Sequence, residues 1–197
     1  SKKHGALLIV DDIQAGIGRT GDFFSFDGMD VQPDMVPLAK SLSGFGLPFA
    51  TLLIRRDLDI WKPAEHNGTF RGNTHAFVTA RVALEKFWAD GSFKAEIAEK
   101  AAVLEERLTR IAALIPGAKL KGRGMMRGVD VGSGDLAEEI CAEAFRQGLI
   151  IETSGAHDEV VKVLAPLTIP MAQFEEGLTI LERAARAKTE TTRIAAE

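Results

Sequence analysis

The spacing of apolar residues changes period several times along the chain, and each change marks an element. Ala6 to Val10 is an unbroken apolar run, too short for a helix, and its continuity suits a parallel strand buried on both faces. Met35 to Ala39 and Phe49 to Ile54 predict two more short strands, with Gly44, Gly46 and Pro48 between them. The nine residues joining them are fewer than the dozen or so that a parallel crossover needs, so the third strand is predicted antiparallel to the second. Residues 61 to 73 form a polar, glycine-containing loop. From Thr74 the period turns helical through Phe77, Val78, Val82, Leu84, Phe87 and Trp88. A second amphipathic helix is predicted from Phe93 to Leu114, stopped by Pro116 and Gly117. The remainder reads as strand Met125 to Val131, helix Leu136 to Gln147, strands Leu149 to Glu152 and Val160 to Leu164, and helix Gln173 to Lys188. The predicted class is α/β: a mostly parallel sheet with one reversed strand over residues 1–90, then a smaller α+β domain over 91–197.

Composition narrows the classes of function. With 197 residues, 46% of them hydrophobic, the chain can bury one core of ordinary size or two small ones. Lys and Arg number 24 against 28 Asp and Glu, a net charge of −4, so no overall basic field draws the chain to nucleic acid or an anionic membrane. No apolar run approaches the roughly 20 residues of a membrane span. The single cysteine, Cys141, allows no intrachain disulfide and fits a reducing compartment; the expectation is a cytoplasmic protein that handles small molecules or protein partners. Cys141 falls in a helical pattern with Ile140 and Ala144 and is expected in the core. The tract EKAAVLEERLTR, residues 99–110, has the charge pattern of a solvated helix face. His4, His66, His75 and His157 lack metal-ligand spacing, so no metal is expected. The opening SKKHGALLIV shows no signal-peptide cleavage site and enters its strand at once, as if the chain began in mid-fold.

Candidate chemistry begins with IVDDIQAGIGRTGDFFSF, residues 9–26. Gly16, Gly18 and Gly21 match G-x-G-x-x-G, but five residues separate Val10 from Gly16, and DFFSFDG after Gly21 has no helical period. A dinucleotide fingerprint needs the strand just before the first glycine and a helix opening at the third. The glycines are therefore read as turns, with a nicotinamide-dinucleotide site as the alternative. Asp11 stands at the carboxyl end of a strand, where open α/β sheets bind ligands. Taken alone, Asp11 or Asp12 reads simply as a strand terminator. Lys40, in VPLAKSLSG, occupies the same kind of position at the end of the next strand. Together the pair has a specific use. A partly desolvated lysine can form a Schiff base with pyridoxal 5′-phosphate, and a carboxylate beside the pyridine nitrogen keeps that ring protonated. Gln14 could reach the phenolic oxygen of the same ring, and the glycine-containing loop with Thr69 could supply a hydroxyl and N–H groups to a phosphate.

The segments LLIVDDIQAGIGRTGDFFSFDG, PDMVPLAKSLSGFGLPFA and HNGTFRGNTHAFVTA resemble the successive signatures of the class III, fold-type I, PLP-dependent aminotransferases. Asp11 and Lys40 are 29 residues apart, and Thr69 lies 29 beyond Lys40, in keeping with that family's spacing. The resemblance runs from Leu7 to about Leu181 and implies the C-terminal half of such an enzyme: the end of the large cofactor-binding domain and the small domain. It implies that Lys40 binds the cofactor covalently and shuttles the proton, Asp11 pairs with the pyridinium nitrogen and Gln14 meets the phenolic oxygen. Thr69 would bind the phosphate, in this family usually that of the neighbouring subunit, so a homodimer with shared sites is implied. HNGTFRGN and VVKVLAPLTI are most similar to the branch that transfers an amino group from glutamate to aspartate 4-semialdehyde, making 2,4-diaminobutyrate for ectoine biosynthesis. Ornithine, acetylornithine or 4-aminobutyrate as substrate is the alternative. Asp12 stands where the motif usually has Glu. Lys162 stands where many relatives have an arginine that clamps the substrate α-carboxylate, and a lysine gives up the bidentate grip. Arg71 replaces a usual glycine and is a candidate compensating cation, with a surface or interface salt bridge as its other reading.

Overall fold

The computed structural model describes residues 2–68 and 71–195. The chain divides into two units, Ser1–Ala95 and Glu96–Glu197.

In the first unit, β1 (Met35–Leu38) pairs antiparallel with β2 (Thr51–Ile54), in a register that sets Met35 opposite Ile54 and Leu38 opposite Thr51. The short connection dictates that reversal. The predicted strand Ala6–Val10 does run parallel to β1, yet it makes only an isolated bridge, Ile9 to Met35, with Val10 N–H donating to Met35 O at 3.1 Å and Asp12 N–H to Pro37 O at 3.1 Å. The expectation of a mostly parallel sheet is corrected here: the sheets of this structure are antiparallel. The physical reason is that residues 8–12 meet one neighbour along one edge, which pairs too few residues for a continuous parallel ladder. Nor is the run buried on both faces, since Leu7 is 46% and Ile9 57% exposed.

A core of Ile17, Val36, Leu38 and Leu42, with Phe23, Phe24, Phe26, Phe49 and Trp88 packed against it, binds the 13–28 loop to the back of β1. Phe23 meets Phe24 and Trp88 edge-on, with centroids 4.9 and 5.0 Å apart. That apolar content explains why DFFSF is ordered without being a helix. Residues 22–28 are bends and turns, and no helix opens after Gly21, which removes the dinucleotide reading. Helix α1 (Thr74–Phe87) starts where Asn73 caps the His75 and Ala76 N–H groups with its side-chain oxygen.

Helix α2 (Ser92–Ala113) leads into the second unit, a four-stranded antiparallel sheet in the order β3-β4-β6-β5 with α3 and α4. The strands are β3 (Lys119–Arg123), β4 (Met126–Asp130), β5 (Glu152–Ser154) and β6 (Val160–Val163); α3 is Gly134–Arg146 and α4 Met171–Ala195. Helix α3 packs on α4, β5 and β6, and Ala137, Ile140, Cys141 and Ala144 supply its buried face. Strand β3 escapes the hydrophobic pattern because KLKGR is a polar edge strand that owes its existence to pairing with β4. The strand expected at Leu149–Glu152 begins only at Glu152. Leu149 N–H is already committed to Ala144 O at the end of α3, so its run Leu149–Ile151 is an exit from the helix.

Helix α2 also corrects the reading of residues 99–110 as a solvated face. Ile97, Lys100, Leu104, Leu108 and Ile111 recur every three or four residues and are all buried, Lys100 among them at 1% exposure. Among the described residues, no helix is long and apolar enough to cross a membrane.

Candidate functional site

The strand period separates the two adjacent carboxylates. Successive side chains of an extended segment point to opposite sides, and Asp12 goes inward, fully buried, while Asp11 goes outward and is exposed. Asp12 Oδ2 accepts the Ser25 N–H at 2.9 Å and so ties the phenylalanine loop to the strand. Its Oδ1 is buried with no partner among the described residues. A methyl group on Gly16 would stand 2.9 Å from the Asp12 Cβ, so glycine at 16 is required by that packing. Asp11 Oδ1 accepts the Ile13 N–H at 2.9 Å, which turns the chain and holds the carboxylate at the segment's carboxyl end. Gln14 follows in the turn, half-buried. Burial also holds the Arg19 guanidinium's pKa below its ordinary value.

Lys40 leaves the end of β1 in the left-handed region, at φ 52°, and begins a short 3₁₀ turn, Lys40–Ser43. A side-chain-bearing residue pays about 1–2 kcal/mol for that conformation. The turn below it is well anchored: Leu42 and Ser43 are buried, Ser43 Oγ accepts the Gly46 N–H at 3.0 Å, and Gly44, at φ 70°, lies against α1. A Cβ at Gly44 would be 2.5 Å from the Ala83 Cβ.

The parallel bridge relates these two charges. Asp12 N–H reaches Pro37 O, and Lys40 is three residues farther along, at most about 11 Å of backbone. Asp11 and Lys40 are thus exposed groups of opposite charge at the carboxyl ends of two neighbouring parallel segments. Neither makes a salt bridge among the described residues. Lys40 is more exposed than the partly desolvated lysine the sequence reading asked for. An amine and a carboxylate at neighbouring segment ends, each without an ion-pair partner among the described residues, are groups of the kind that an aldehyde and a basic ring nitrogen require.

Thr69, the expected phosphate ligand, lies outside the described residues. Arg71 is exposed; its N–H donates to Gly68 O at 3.1 Å, and its side chain folds back over that glycine. In the second unit Lys162, on β6, sits directly opposite Glu152 of β5 and pairs with its Oε1 at 2.8 Å. Hydrogen bonding from Lys162 holds the Glu152 carboxyl below its ordinary pKa. Lys162 also borders a cavity of about 390 Å³ whose walls include Leu149, Ile151, Val163, Phe174 and Leu178.

The sequence reading missed two buried charges. Asp34, next to Pro33, fixes the segment that carries Asp11, and Lys100 reaches the loop after β6. Helical spacing between Ile97 and Leu104 was the available signal for Lys100.

A profile of the family described as aminotransferase class-III matches residues 1–185. Among curated relatives, the chain is 56% identical over 180 residues to a diaminobutyrate–2-oxoglutarate transaminase of Halomonas elongata, covering 89% of this chain and 43% of that protein. It is also 56% identical over 181 residues to the enzyme of the same name from Vibrio cholerae, covering 90% and 44%. The chain therefore spans less than half the length of these relatives. Among solved structures, N-acetylornithine aminotransferase from Stenotrophomonas maltophilia matches 100% of this chain and 50% of its own, with a TM-score of 0.77 at 34% identity. Ornithine aminotransferase from Toxoplasma gondii, with PLP partially occupying its active site, matches 98% and 45%, with a TM-score of 0.86 at 27% identity.

Proposed function

The chain belongs to the class-III aminotransferases, and from that premise we propose that the full-length protein transfers an amino group from glutamate to aspartate 4-semialdehyde, giving 2-oxoglutarate and 2,4-diaminobutyrate. The observation that carries the substrate pair is the 56% identity to diaminobutyrate–2-oxoglutarate transaminases over nine-tenths of the chain. The placement of Asp11 and Lys40 supports the use of pyridoxal 5′-phosphate. When bound, that cofactor supplies an electrophilic aldehyde carbon and a ring that withdraws electrons from the reacting carbon.

The residues then divide the work. Lys40 would hold the cofactor through its amine and would move the proton between the two carbons of the reaction. Asp11 would hold a proton on the ring nitrogen, a role supported by its exposure, since Asp12 takes the inward position. Gln14 donates to the phenolic oxygen. Thr69 binds phosphate, in a homodimer that of the neighbouring subunit. Lys162 receives the substrate α-carboxylate, and to do so exchanges Glu152 for it. Arg71 is a second cation for substrate. The compartment proposed is the cytoplasm.

The test is a panel of amino compounds given to the full-length protein loaded with pyridoxal phosphate, with 2-oxoglutarate as acceptor. Diaminobutyrate should turn over fastest. Faster reaction with ornithine, acetylornithine or 4-aminobutyrate overturns the substrate pair and leaves the reaction class. In the same protein Asp11→Ala should retain bound cofactor while turnover falls by orders of magnitude. Near-normal turnover overturns the role of Asp11.

A further inference from the structure

We propose that Asn67 and Gly68 form a self-modifying site: the Asn67 side chain closes on the Gly68 nitrogen, loses ammonia and opens with water to a carboxylate, which weakens the hold of this loop on the cofactor phosphate. The effect on the cofactor rests on the reading of Thr69 given above.

The chain has two asparagines, Asn67 and Asn73, in opposite settings. Asn73 caps α1, where its Oδ1 accepts the His75 N–H at 3.1 Å and the Ala76 N–H at 3.3 Å, and the next residue, the β-branched Thr74, is already helical. Its amide is committed to the cap, and the bulk of Thr74 shields the following backbone nitrogen. Asn67 has neither protection. It and Gly68 are exposed and outside any helix or strand, and among the described residues neither the Asn67 side chain nor the Gly68 N–H makes a hydrogen bond. Gly68 has no Cβ to crowd its nitrogen, and its backbone is free to turn that nitrogen toward Asn67 Cγ. Asp27 and Asp90 also precede glycines. Their carboxylates are engaged, accepting the Phe24 N–H at 3.0 Å and the Ser92 N–H at 2.8 Å, and an ionised carboxylate is a poor electrophile.

Arg71 adds a cation at the same point. A Cβ built at Gly68 would lie 3.1 Å from Arg71 Nε and 3.7 Å from its Nη2, and the Arg71 N–H donates to Gly68 O at 3.1 Å. A guanidinium over this residue favours the deprotonated amide and the negative charge that builds on Asn67 Oδ1 during attack. The reaction needs no oxidant or reductant. The Gly68 nitrogen gives up its proton and bonds to Asn67 Cγ, the Cγ–Nδ2 bond breaks, and Nδ2 leaves with that proton as ammonia. Water then opens the five-membered imide, either at Cγ, giving aspartate, or at the main-chain carbonyl, giving isoaspartate with an added methylene in the main chain. Both products put a new negative charge on the loop, within about 7 Å of the Thr69 backbone.

The test uses the full-length holoenzyme, aged at pH 8 beside a sample kept cold, then digested for mass spectrometry and, in parallel, stripped and titrated with pyridoxal phosphate. Asn67 should convert to aspartate and isoaspartate while Asn73 stays an amide, and Arg71→Ala should slow the conversion. The Kd for pyridoxal phosphate should rise about tenfold in the converted protein, the ratio that one like charge about 7 Å from a phosphate gives near a protein surface. Asn67→Asp should show the raised Kd without ageing. Asn67→Gln, whose longer side chain would have to close a six-membered ring, should keep the wild-type Kd through ageing. An Asn67 that stays an amide, or converts no faster than Asn73, overturns the proposal. So does an Asn67→Asp protein that binds the cofactor as wild type does, or an Asn67→Gln protein that loses affinity on ageing as wild type does. Thr69→Ala tells this failure from that of the earlier reading: an unchanged Kd there removes Thr69 from the phosphate, while conversion at Asn67 is read by mass alone.

Discussion

Asp34 and Leu8 are joined in both directions: the Asp34 N–H donates to Leu8 O at 2.7 Å, and the Leu8 N–H donates to Asp34 Oδ2 at 2.7 Å. The second Asp34 oxygen accepts from Arg55, just past the end of β2. One buried carboxylate thereby sets the register of the segment that ends at Asp11 against the strand that ends before Lys40. A one-residue slip there would exchange Asp11 for Asp12 on the outward face.

Asp34→Ala leaves the partly buried Leu8 N–H without its acceptor and should cost about 1–3 kcal/mol in urea unfolding of the full-length protein. Asp34→Asn, which still accepts from Leu8, should cost less. Turnover should fall more than stability, because the register of Asp11 is what Asp34 controls. Equal effects of the two variants on unfolding would show that the Leu8 bond carries little.

Lys40 occupies a backbone conformation that favours glycine. Lys40→Gly should therefore be more stable than Lys40→Ala by about 1 kcal/mol in thermal unfolding. Borohydride should fix a cofactor label on this peptide in the wild type and in neither variant. A label on any other lysine would remove Lys40 from its assigned role.

Gly44 brings the turn beneath Lys40 against Ala83 of α1. Gly44→Ala adds a methyl group where there is no space and a side chain at φ 70°, and should destabilise the protein by about 1–3 kcal/mol. Adding Ala83→Gly should recover the steric part and leave the conformational part. A double variant no more stable than Gly44→Ala would mean that backbone strain alone is responsible.

Burial pushes the Cys141 thiol up to about 11, from an ordinary 9.0. Alkylation at pH 8 should be slow in the folded protein and rapid in denaturant. Since the unfolded thiol ionises first, its contribution to stability falls as pH rises from about 9 toward about 11. Urea unfolding should show Cys141→Ala losing less stability than wild type over that range. A parallel decline in both would mean the thiol is not held back in the fold.

Local pattern was enough to place both long helices of the second unit and the strands β1, β2, β4 and β6, and it offered the Asp11–Lys40–Thr69 spacing as a candidate site. A period of two or 3.6 is written into neighbouring residues, and a motif is a spacing along one chain. Chain length between strands even determined that β2 opposes β1. The tertiary structure decided what depends on distant partners. KLKGR is a strand because β4 lies beside it, and the Ala6–Val10 run has a single bridge because it meets one neighbour on one edge. Asp12 is buried and Asp11 exposed because Ser25 and β1 approach from the side that Asp12 faces. Lys100 is inside because a carbonyl 67 residues away stands within reach of its ammonium. Charge pattern alone assigns a lysine to solvent; only a fold that delivers an acceptor to it can offset the cost of burying it.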